Sequence, residues 1–265
     1  MSLIDHLSKH TLCLHLGPRR LSAVVRRAGR AVPGSATELA IDNPGTHWQL
    51  PLDALHGFLA RPSQAGAGAG LPLALSLSNH WCRMSLAPWS DALLTEAGAA
   101  RFLQTQMAAV YGEAARGWSI AADDAPYGQP RLVCGIDPEL LQGVQAVARA
   151  NGHACHAVEA LLSVAGRAIA PAKPRAFALV EPGRLVLAAL AGGRIVAVQT
   201  QNCPPAWQAE LAQAWQRWTL RAPELAGIDE VAVLDLSGAP AAELAPRFKL
   251  APLAAPELMG ESIWA

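Results

Sequence analysis

The stretch FALVEPGRLVLAALAGGRIVAVQTQ, residues 177–201, determines which fold this chain adopts. It divides into three short apolar runs separated by two turn sequences, Glu-Pro-Gly at 181–183 and Gly-Gly at 192–193. Apolar runs of this length, bounded by glycine and proline, are typical of β-strands joined by tight turns. The stretch therefore predicts a three-stranded meander.

The same pattern occurs near the start of the chain, where TLCLHLG (11–17) and RLSAVVR (20–26) flank a short turn and a third strand is predicted at 37–41. Further helices and strands are predicted at 50–60, 73–78, 138–150, 153–159 and 160–169 in the first half, and at 205–221, 230–236 and 239–247 in the second. Both halves therefore contain three strands followed by a helix, a strand and a helix. This repeat of topology is the plan of the ribonuclease-H-like and actin-like folds.

A segment of different character, residues 79–136, interrupts the first half. It holds a strand-like run, a helix near 93–111 and two further strands, which predicts a small α+β insertion. A proline-bearing linker follows at 170–175. We therefore predict an α/β, two-lobed, actin-like (ribonuclease-H-like) fold, with a first lobe at 1–170 that carries the insertion and a second, shortened lobe at 175–265.

Composition narrows the classes of function. Lysine plus arginine and aspartate plus glutamate both number 21, so no net charge attracts nucleic acid or an anionic membrane. Five widely spread cysteines without a Cys-x-x-Cys pair fit reduced, buried thiols in a cytosol. Residues 1–10 lack the basic start and apolar run of a secretion signal, and charged residues break the most apolar region at 176–198. The sequence predicts a cytoplasmic protein.

Three stretches carry a resemblance to a known family: LCLHLGPRRLSAVVR (12–26), LSLSNHWCRMSLAPW (75–89) and RLVCGIDPELLQGVQAVARANGHACHAVE (131–159). The first resembles the opening strand–turn–strand of the actin-like type IV pilus assembly proteins of the PilM family and of the cytoplasmic domain of the type II secretion protein GspL. The second resembles the start of that family's inserted subdomain, and the third its strand, long helix and closing strand. The resemblance implies a cytoplasmic scaffold of a pilus or type II secretion-like assembly.

Members of that family that bind ATP have an Asp-x-Gly turn followed by small hydroxyl residues and a lysine. In this chain His15 takes the aspartate position, Gly17 the glycine position and Ser22 the lysine position, with Pro18 and two arginines between them. Mg²⁺ prefers hard oxygen ligands, for which a neutral imidazole is a poor substitute. Proline also removes a backbone donor that would face a phosphate.

The other two nucleotide loops of the family are reduced in the same way. The second turn keeps an acid at Glu181 and a glycine at Gly183, but it is short and contains Pro182. The adenosine-side loop keeps only Gly238, although close approach of a purine favours several glycines there. We therefore predict a degenerate nucleotide site with no catalytic residue and no bound cofactor, and ATP with Mg²⁺ remains the alternative ligand.

The insertion is rich in aromatic residues, which with arginine dominate interaction hot spots. We predict a partner-binding surface at Trp81, Arg83, Trp89 and Trp118. By the resemblance, this region takes the N-terminal cytoplasmic tail of a single-pass inner-membrane protein of the PilN type, and the assembly ATPase is a further expected partner. The alternative is that the aromatic residues form the insertion's own small core.

Two other residue groups favour packing over chemistry. Trp207, Leu211, Trp215 and Trp218 follow the spacing of one helix face that packs on a sheet. His153, Cys155 and His156 alternate across a predicted strand, so at most two of them converge and no metal site is predicted.

Two hypotheses from different classes follow. The first is a non-catalytic scaffold that is peripheral to the inner membrane through its partners. The second is an actin-like ATP-binding protein or ATPase, or a sugar-kinase-like phosphotransferase, that uses Glu181 and an altered first turn.

Overall fold

The computed structural model describes residues 10–61, 70–169, 175–239 and 243–251. Their contacts divide into two compact units, one of residues 10–81 with 137–164 and the other of residues 82–136 with 165–251. By contact, the insertion therefore groups with the second meander, although it lies within the first half of the chain. The predicted lobe boundaries, 1–170 and 175–265, stay a prediction.

The strands, in chain order, are β1 (His10–Leu16), β2 (Arg20–Arg27), β3 (Arg30–Ala31), β4 (Thr37–Ala40), β5 (Leu73–Leu77), β6 (Arg83–Ala87), β7 (Ser119–Ala122), β8 (Arg131–Ile136), β9 (Cys155–Ala160), β10 (Ala176–Glu181), β11 (Arg184–Ala191), β12 (Arg194–Asn202), β13 (Val231–Asp235) and β14 (Phe248–Leu250). The α-helices are α1 (Gln49–Leu59), α2 (Glu96–Tyr111), α3 (Pro138–Ala150), α4 (Leu161–Ile169) and α5 (Trp207–Arg221). No helix among the described residues is long and apolar enough to span a membrane.

The first unit is built on one six-stranded sheet. Its strand order is β3-β2-β1-β5-β9, and β4 pairs with β2 as well. β2 runs antiparallel to β1, whereas β5 and β9 run parallel to it and to each other. β1 is central, and its residues 12–16 are buried and apolar except for His15.

Helix α3 begins as the sequence predicts. The Asp137 carboxylate accepts a hydrogen bond from the backbone N–H of Glu139 at 2.9 Å, and Pro138 occupies the first helical position. Leu140, Val144 and Ala148 are fully buried on one face of this helix. This helix contributes to the core of the first unit.

The second unit contains two sheets. The insertion forms a three-stranded sheet in the order β6-β8-β7, and the second meander opens a five-stranded sheet in the order β12-β11-β10-β13-β14. In the larger sheet an antiparallel meander is followed by two parallel strands, which is also the plan of the first unit's sheet. The predicted repeat of topology is therefore present in the two sheets.

The predicted aromatic stripe of α5 packs on the larger sheet. Trp207, Leu211, Trp215 and Trp218 are all buried in one cluster with β10, β11 and β13. The rings of Trp215 and Trp218 meet edge to face with centroids 5.6 Å apart. The prediction that these residues belong to a core is confirmed.

One predicted helix, at 239–247, is wrong over its described part. Residues 243–247 are not helical and end in a turn before β14. Pro246 disfavours helical backbone at the residue before it, and the Val231 N–H donates to Arg247 O at 2.9 Å as β14 pairs with β13. Residues 170–174 of the predicted linker at 170–175 lie outside the described residues, as do residues 62–69 and 240–242.

Candidate functional site

The first candidate site is the turn between β1 and β2, where His15 is the polar residue of a buried strand. His15 is 7% exposed, and its Nδ1 lies 3.1 Å from Ser76 Oγ on the neighbouring parallel strand β5. The Ser76 hydroxyl donates in turn to Leu14 O at 3.3 Å. With that proton given to the carbonyl, the contact is satisfied in the tautomer in which the Nδ1–H of His15 donates to Ser76 Oγ.

Electrostatics keep this imidazole neutral. Burial and the nearby positive charge of Arg20 lower the pKa of His15 to about 4, although the contact with Ser76 acts in the opposite direction. The position predicted to correspond to the aspartate of the family's Asp-x-Gly turn therefore holds an uncharged nitrogen base.

The space beneath the first turn is filled. A Cβ atom placed on Gly17 would lie 3.2 Å from His15 Nε2, so the imidazole ring packs directly under the turn. The Gly17 N–H donates to Arg20 O at 2.8 Å, which closes the hairpin and uses a donor that a phosphate would need. Ser22 lies opposite His15 on β2 and is buried, and its hydroxyl has no hydrogen-bond partner among the described residues.

The second turn, at 181–183, belongs to the second unit and connects β10 to β11. Glu181 is 3% exposed and is paired across the hairpin with Arg184. Gly183 has a φ of +83°, which glycine adopts without steric cost. The predicted acid is thus present, but it is buried at the base of a two-residue turn.

The third loop follows β13 and is closed on itself. The Asp235 carboxylate accepts hydrogen bonds from the Ser237 backbone N–H at 2.8 Å and from its hydroxyl at 2.6 Å. The Ser237 hydroxyl oxygen accepts a third bond, from the Ala239 N–H at 3.1 Å. Because β13 runs parallel to β10, this loop and Glu181 lie at the same end of the sheet, and Gly238 carries a φ of +69° in it.

A second candidate site is an open groove of about 780 Å³ in the second unit, between the insertion and the five-stranded sheet. One wall is β6 with the end of α2, and the other is β12 with the start of β11. Both β6 and β12 are the outermost strands of their sheets in the described part of the chain. The groove therefore lies between two strand edges.

One face of β12 lines this groove. Val196, Val198, Thr200 and Asn202 alternate along it, as side chains on one face of a strand do. Gln199 and Gln201, which lie between them, face α5: Gln201 donates to Glu210 on that helix at 2.6 Å, and Gln199 accepts from Arg221. Ala197 also borders the groove. The pairing with β11 shifts at Val196, a bulge that directs its side chain into the groove.

The groove contains two arginines and a phenol. Arg83 and Arg184 both line it, and burial together with the charge of Arg83 lowers the pKa of Arg184. The Arg184 Nε is buried and has no hydrogen-bond partner among the described residues. The Tyr111 hydroxyl donates to Met84 O on β6 at 2.7 Å, which fixes the phenol as part of the wall.

The predicted partner-binding residues separate in the structure. Arg83 lines the groove, but Trp81 belongs to the first unit and donates its indole N–H to Thr46 O at 2.8 Å. Trp89 and Trp118 pack against the core of the insertion, where Trp89 contacts the Tyr127 ring with centroids 4.5 Å apart. The alternative reading, that the insertion's aromatics form its own core, describes these two tryptophans.

Sequence reasoning missed Arg184, Tyr111 and Val196 as groove residues. Arg184 directly follows the second turn, so a charged residue entering an apolar strand was the available signal. Nothing in the local pattern brings Arg184 near Arg83, because the two lie on different sheets.

The three residues considered as metal ligands have packing roles or lie apart. The His153 Nδ1 contacts Leu71 O at 3.0 Å, and His153 precedes β9 instead of lying within it. Among the described residues, no group of three or more His, Cys, Asp and Glu side chains is arranged to hold a metal ion.

No protein-family model matches this sequence, and no curated protein sequence matches it. Several solved structures are similar to the chain. The chain is similar to the cytoplasmic domain of EpsL, an inner-membrane component of the type II secretion system of Vibrio cholerae, with a TM-score of 0.60 and 12% identity over 95% of this chain and 93% of that one.

Two further structures are similar over most of the chain. One is a chain of the PilM–PilN type IV pilus biogenesis complex, with a TM-score of 0.60 and 16% identity over 86% of this chain and 81% of that one. The other is a Bacteroides thetaiotaomicron protein with an actin-like ATPase fold, with a TM-score of 0.56 and 11% identity over 88% of this chain and 84% of that one. These likenesses establish an actin-like fold and confirm, as a likeness of fold, the resemblance inferred from the sequence.

Proposed function

We propose that this chain is a non-catalytic cytoplasmic scaffold of a type IV pilus or type II secretion-like assembly, with a degenerate nucleotide site. The observation that carries the proposal is His15, a buried, neutral imidazole bonded to Ser76 where a working site needs a hard oxygen ligand. The second turn adds only the buried carboxylate of Glu181. In this proposal the fold serves protein contact instead of phosphate chemistry.

The partner in this proposal is a single-pass inner-membrane protein of the PilN type, whose N-terminal cytoplasmic tail lies in the groove. One structural relative was solved as a PilM–PilN complex, which supports a partner of this kind. An extended tail would form main-chain hydrogen bonds with an outermost strand, β6 or β12. The assembly ATPase is a further proposed partner, and the protein would be peripheral to the inner membrane through these contacts.

Capture from the native cell envelope followed by peptide titration tests the proposal. The full chain is used as bait, and the cytoplasmic tail of the captured membrane protein is synthesised and titrated by fluorescence anisotropy. Val110 at the groove is 59% exposed and Leu220 on α5 is 75% exposed, so both accept an aspartate without loss of core packing. Val110→Asp should weaken binding of the tail by about tenfold or more, because it places a charge in the apolar rim. Leu220→Asp should leave the affinity unchanged.

A tail that binds equally well to both variants would contradict the groove as the docking site. A membrane fraction from which no single-pass protein is retained would contradict the scaffold role.

A further inference from the structure

The groove concentrates positive charge on a surface that is otherwise suited to an extended chain. Arg83 on β6 and Arg184 on β11 line it from opposite walls, near enough that each charge acts on the other. We propose that the groove binds an extended peptide whose Asp or Glu carboxylate lies between Arg83 and Arg184. This inference rests on the proposed function, because it specifies the chemistry of the partner tail.

Charge balance favours a carboxylate at this point. Two guanidinium groups repel each other, and at Arg184 the carboxylate of Glu181 acts against the charge of Arg83. The Arg184 Nε is buried without an acceptor among the described residues, which costs free energy until an acceptor arrives. A carboxylate accepts two hydrogen bonds from a planar guanidinium, and its negative charge reduces the repulsion between the two arginines.

The neighbouring side chains favour a peptide over a small free anion. The groove of about 780 Å³ is far larger than a single carboxylate or phosphate group. Its rim exposes apolar side chains, with Val110 59% and Val196 39% exposed. An isolated anion would leave those surfaces in water, whereas a peptide covers them with its own apolar side chains.

The strand geometry predicts the sequence pattern of the bound peptide. A chain that runs along β6 or β12 places every second side chain on the same face. The face of β12 that enters the groove carries Val196 and Val198, two positions apart. The recognised pattern is therefore one acidic residue with apolar residues two positions away, in a segment without proline at the paired positions.

Selection from a phage-displayed library of random linear peptides against the full chain tests this inference without a known partner. The enriched peptides are synthesised, and their dissociation constants are measured by fluorescence anisotropy with the wild type, Arg83→Gln, Arg184→Gln and Arg184→Lys. The control is Arg116→Gln, because Arg116 lies in the insertion outside the groove lining, is 68% exposed and pairs with Glu113. Each variant is first checked for wild-type circular dichroism and melting.

We expect Asp or Glu at one fixed position of the enriched peptides. Changing that residue to its amide should weaken binding by about tenfold or more, and Arg184→Gln should weaken it by a similar factor. The two changes combined should cost little more than either alone, because they remove the same contact. Arg184→Lys should recover part of the affinity, and Arg116→Gln should have no effect.

Enriched peptides without a fixed acidic position overturn the inference, and so does a selection in which no peptide depends on Arg83 or Arg184. A failure of this inference can be distinguished from a failure of the proposed function. A captured membrane tail that binds the wild type and both arginine-to-glutamine variants equally supports the scaffold and rejects the carboxylate site. If acidic peptides need both arginines but no membrane protein is captured, the carboxylate site is supported and the scaffold role is rejected.

Discussion

The Nδ1 of His15 and the Oγ of Ser76 lie 3.1 Å apart on adjacent parallel strands of the first sheet. This contact holds the imidazole beneath the first turn, where a Cβ atom on Gly17 would lie 3.2 Å from its Nε2. The first turn is therefore packed against the core. Titration of the His15 imidazole beneath it should change the stability of the protein.

The stability of the protein should depend on pH through His15. Its pKa is about 4 in the folded chain against an ordinary 6.5, so the unfolded chain binds more protons between these values. The contribution of His15 is complete above about pH 6.5, is lost as the pH falls toward 4, and amounts to about 3 kcal/mol in all. Urea denaturation across this range measures it.

His15→Gln is the matched control for that experiment, since glutamine can still bond to Ser76 but does not titrate. The difference in unfolding free energy between wild type and variant should shrink as the pH falls. A difference that stays constant from about pH 6.5 to about pH 4 would show that His15 is not held neutral by the fold.

Tyr111 should report the charge of the groove. Burial raises its pKa, and the charges of Arg83 and Arg184 act in the opposite direction. The chain has two tyrosines, so Tyr127→Phe leaves Tyr111 as the one phenol that titrates in the ultraviolet. Its midpoint should lie above the ordinary value for tyrosine, and Arg184→Gln should raise it further by removing a charge that favours phenolate. An unchanged midpoint in Arg184→Gln would show that Arg184 does not lie near Tyr111.

The ion pair of Arg194 with Asp123 connects the insertion to the larger sheet, and we expect it to stabilise that contact. The two side chains meet at 2.6 Å, each about one third exposed, and Arg194 also donates to Asp124 O at 3.0 Å. Arg194→Gln should cost about 1 kcal/mol and speed amide hydrogen exchange after β7. The pair of Arg116 with Glu113 is 68% and 79% exposed, so Arg116→Gln should change neither quantity. Equal effects of the two substitutions would mean that the first pair contributes nothing.

Gly135 should be intolerant of a side chain because the core of the insertion packs directly on it. A Cβ there would lie 2.6 Å from Trp118 Cε3 and 3.0 Å from Met107 Cε. Gly135→Ala should lower the free energy of unfolding by about 1–3 kcal/mol. Gly117→Ala is the control, since no atom lies within 4 Å of the added group. If both alanines are tolerated equally, Trp118 does not pack on β8 as the structure has it.

The elements that could be read from the sequence are those set by local pattern. The turns at 17–19 and 181–183 separate apolar runs, so they were predictable from the sequence. The helix cap at Asp137 was also predictable, because it is a hydrogen bond to a residue two positions away. Strand β14 was not, because its pairing with β13 is non-local and only Pro246 argued against a helix there.

The groove is harder to predict from the sequence than these local elements. It depends on the approach of two strand edges that the chain order separates widely, β6 and β12. Composition drew attention to the aromatic residues of the insertion, yet Trp118 packs inside it and the groove is lined by Arg83 and Arg184. Burial of an aromatic side chain cannot be distinguished from its exposure at an interface by residue type alone, because the same rings serve both.

In the proposed function, neither the first turn nor the second turn binds a nucleotide. A ligand that binds the folded state raises Tm, so thermal denaturation of the full chain with and without Mg-ATP tests this point. We expect the same Tm in both conditions, for the wild type and for Glu181→Ala. A rise of several degrees with Mg-ATP that disappears in Glu181→Ala would contradict it.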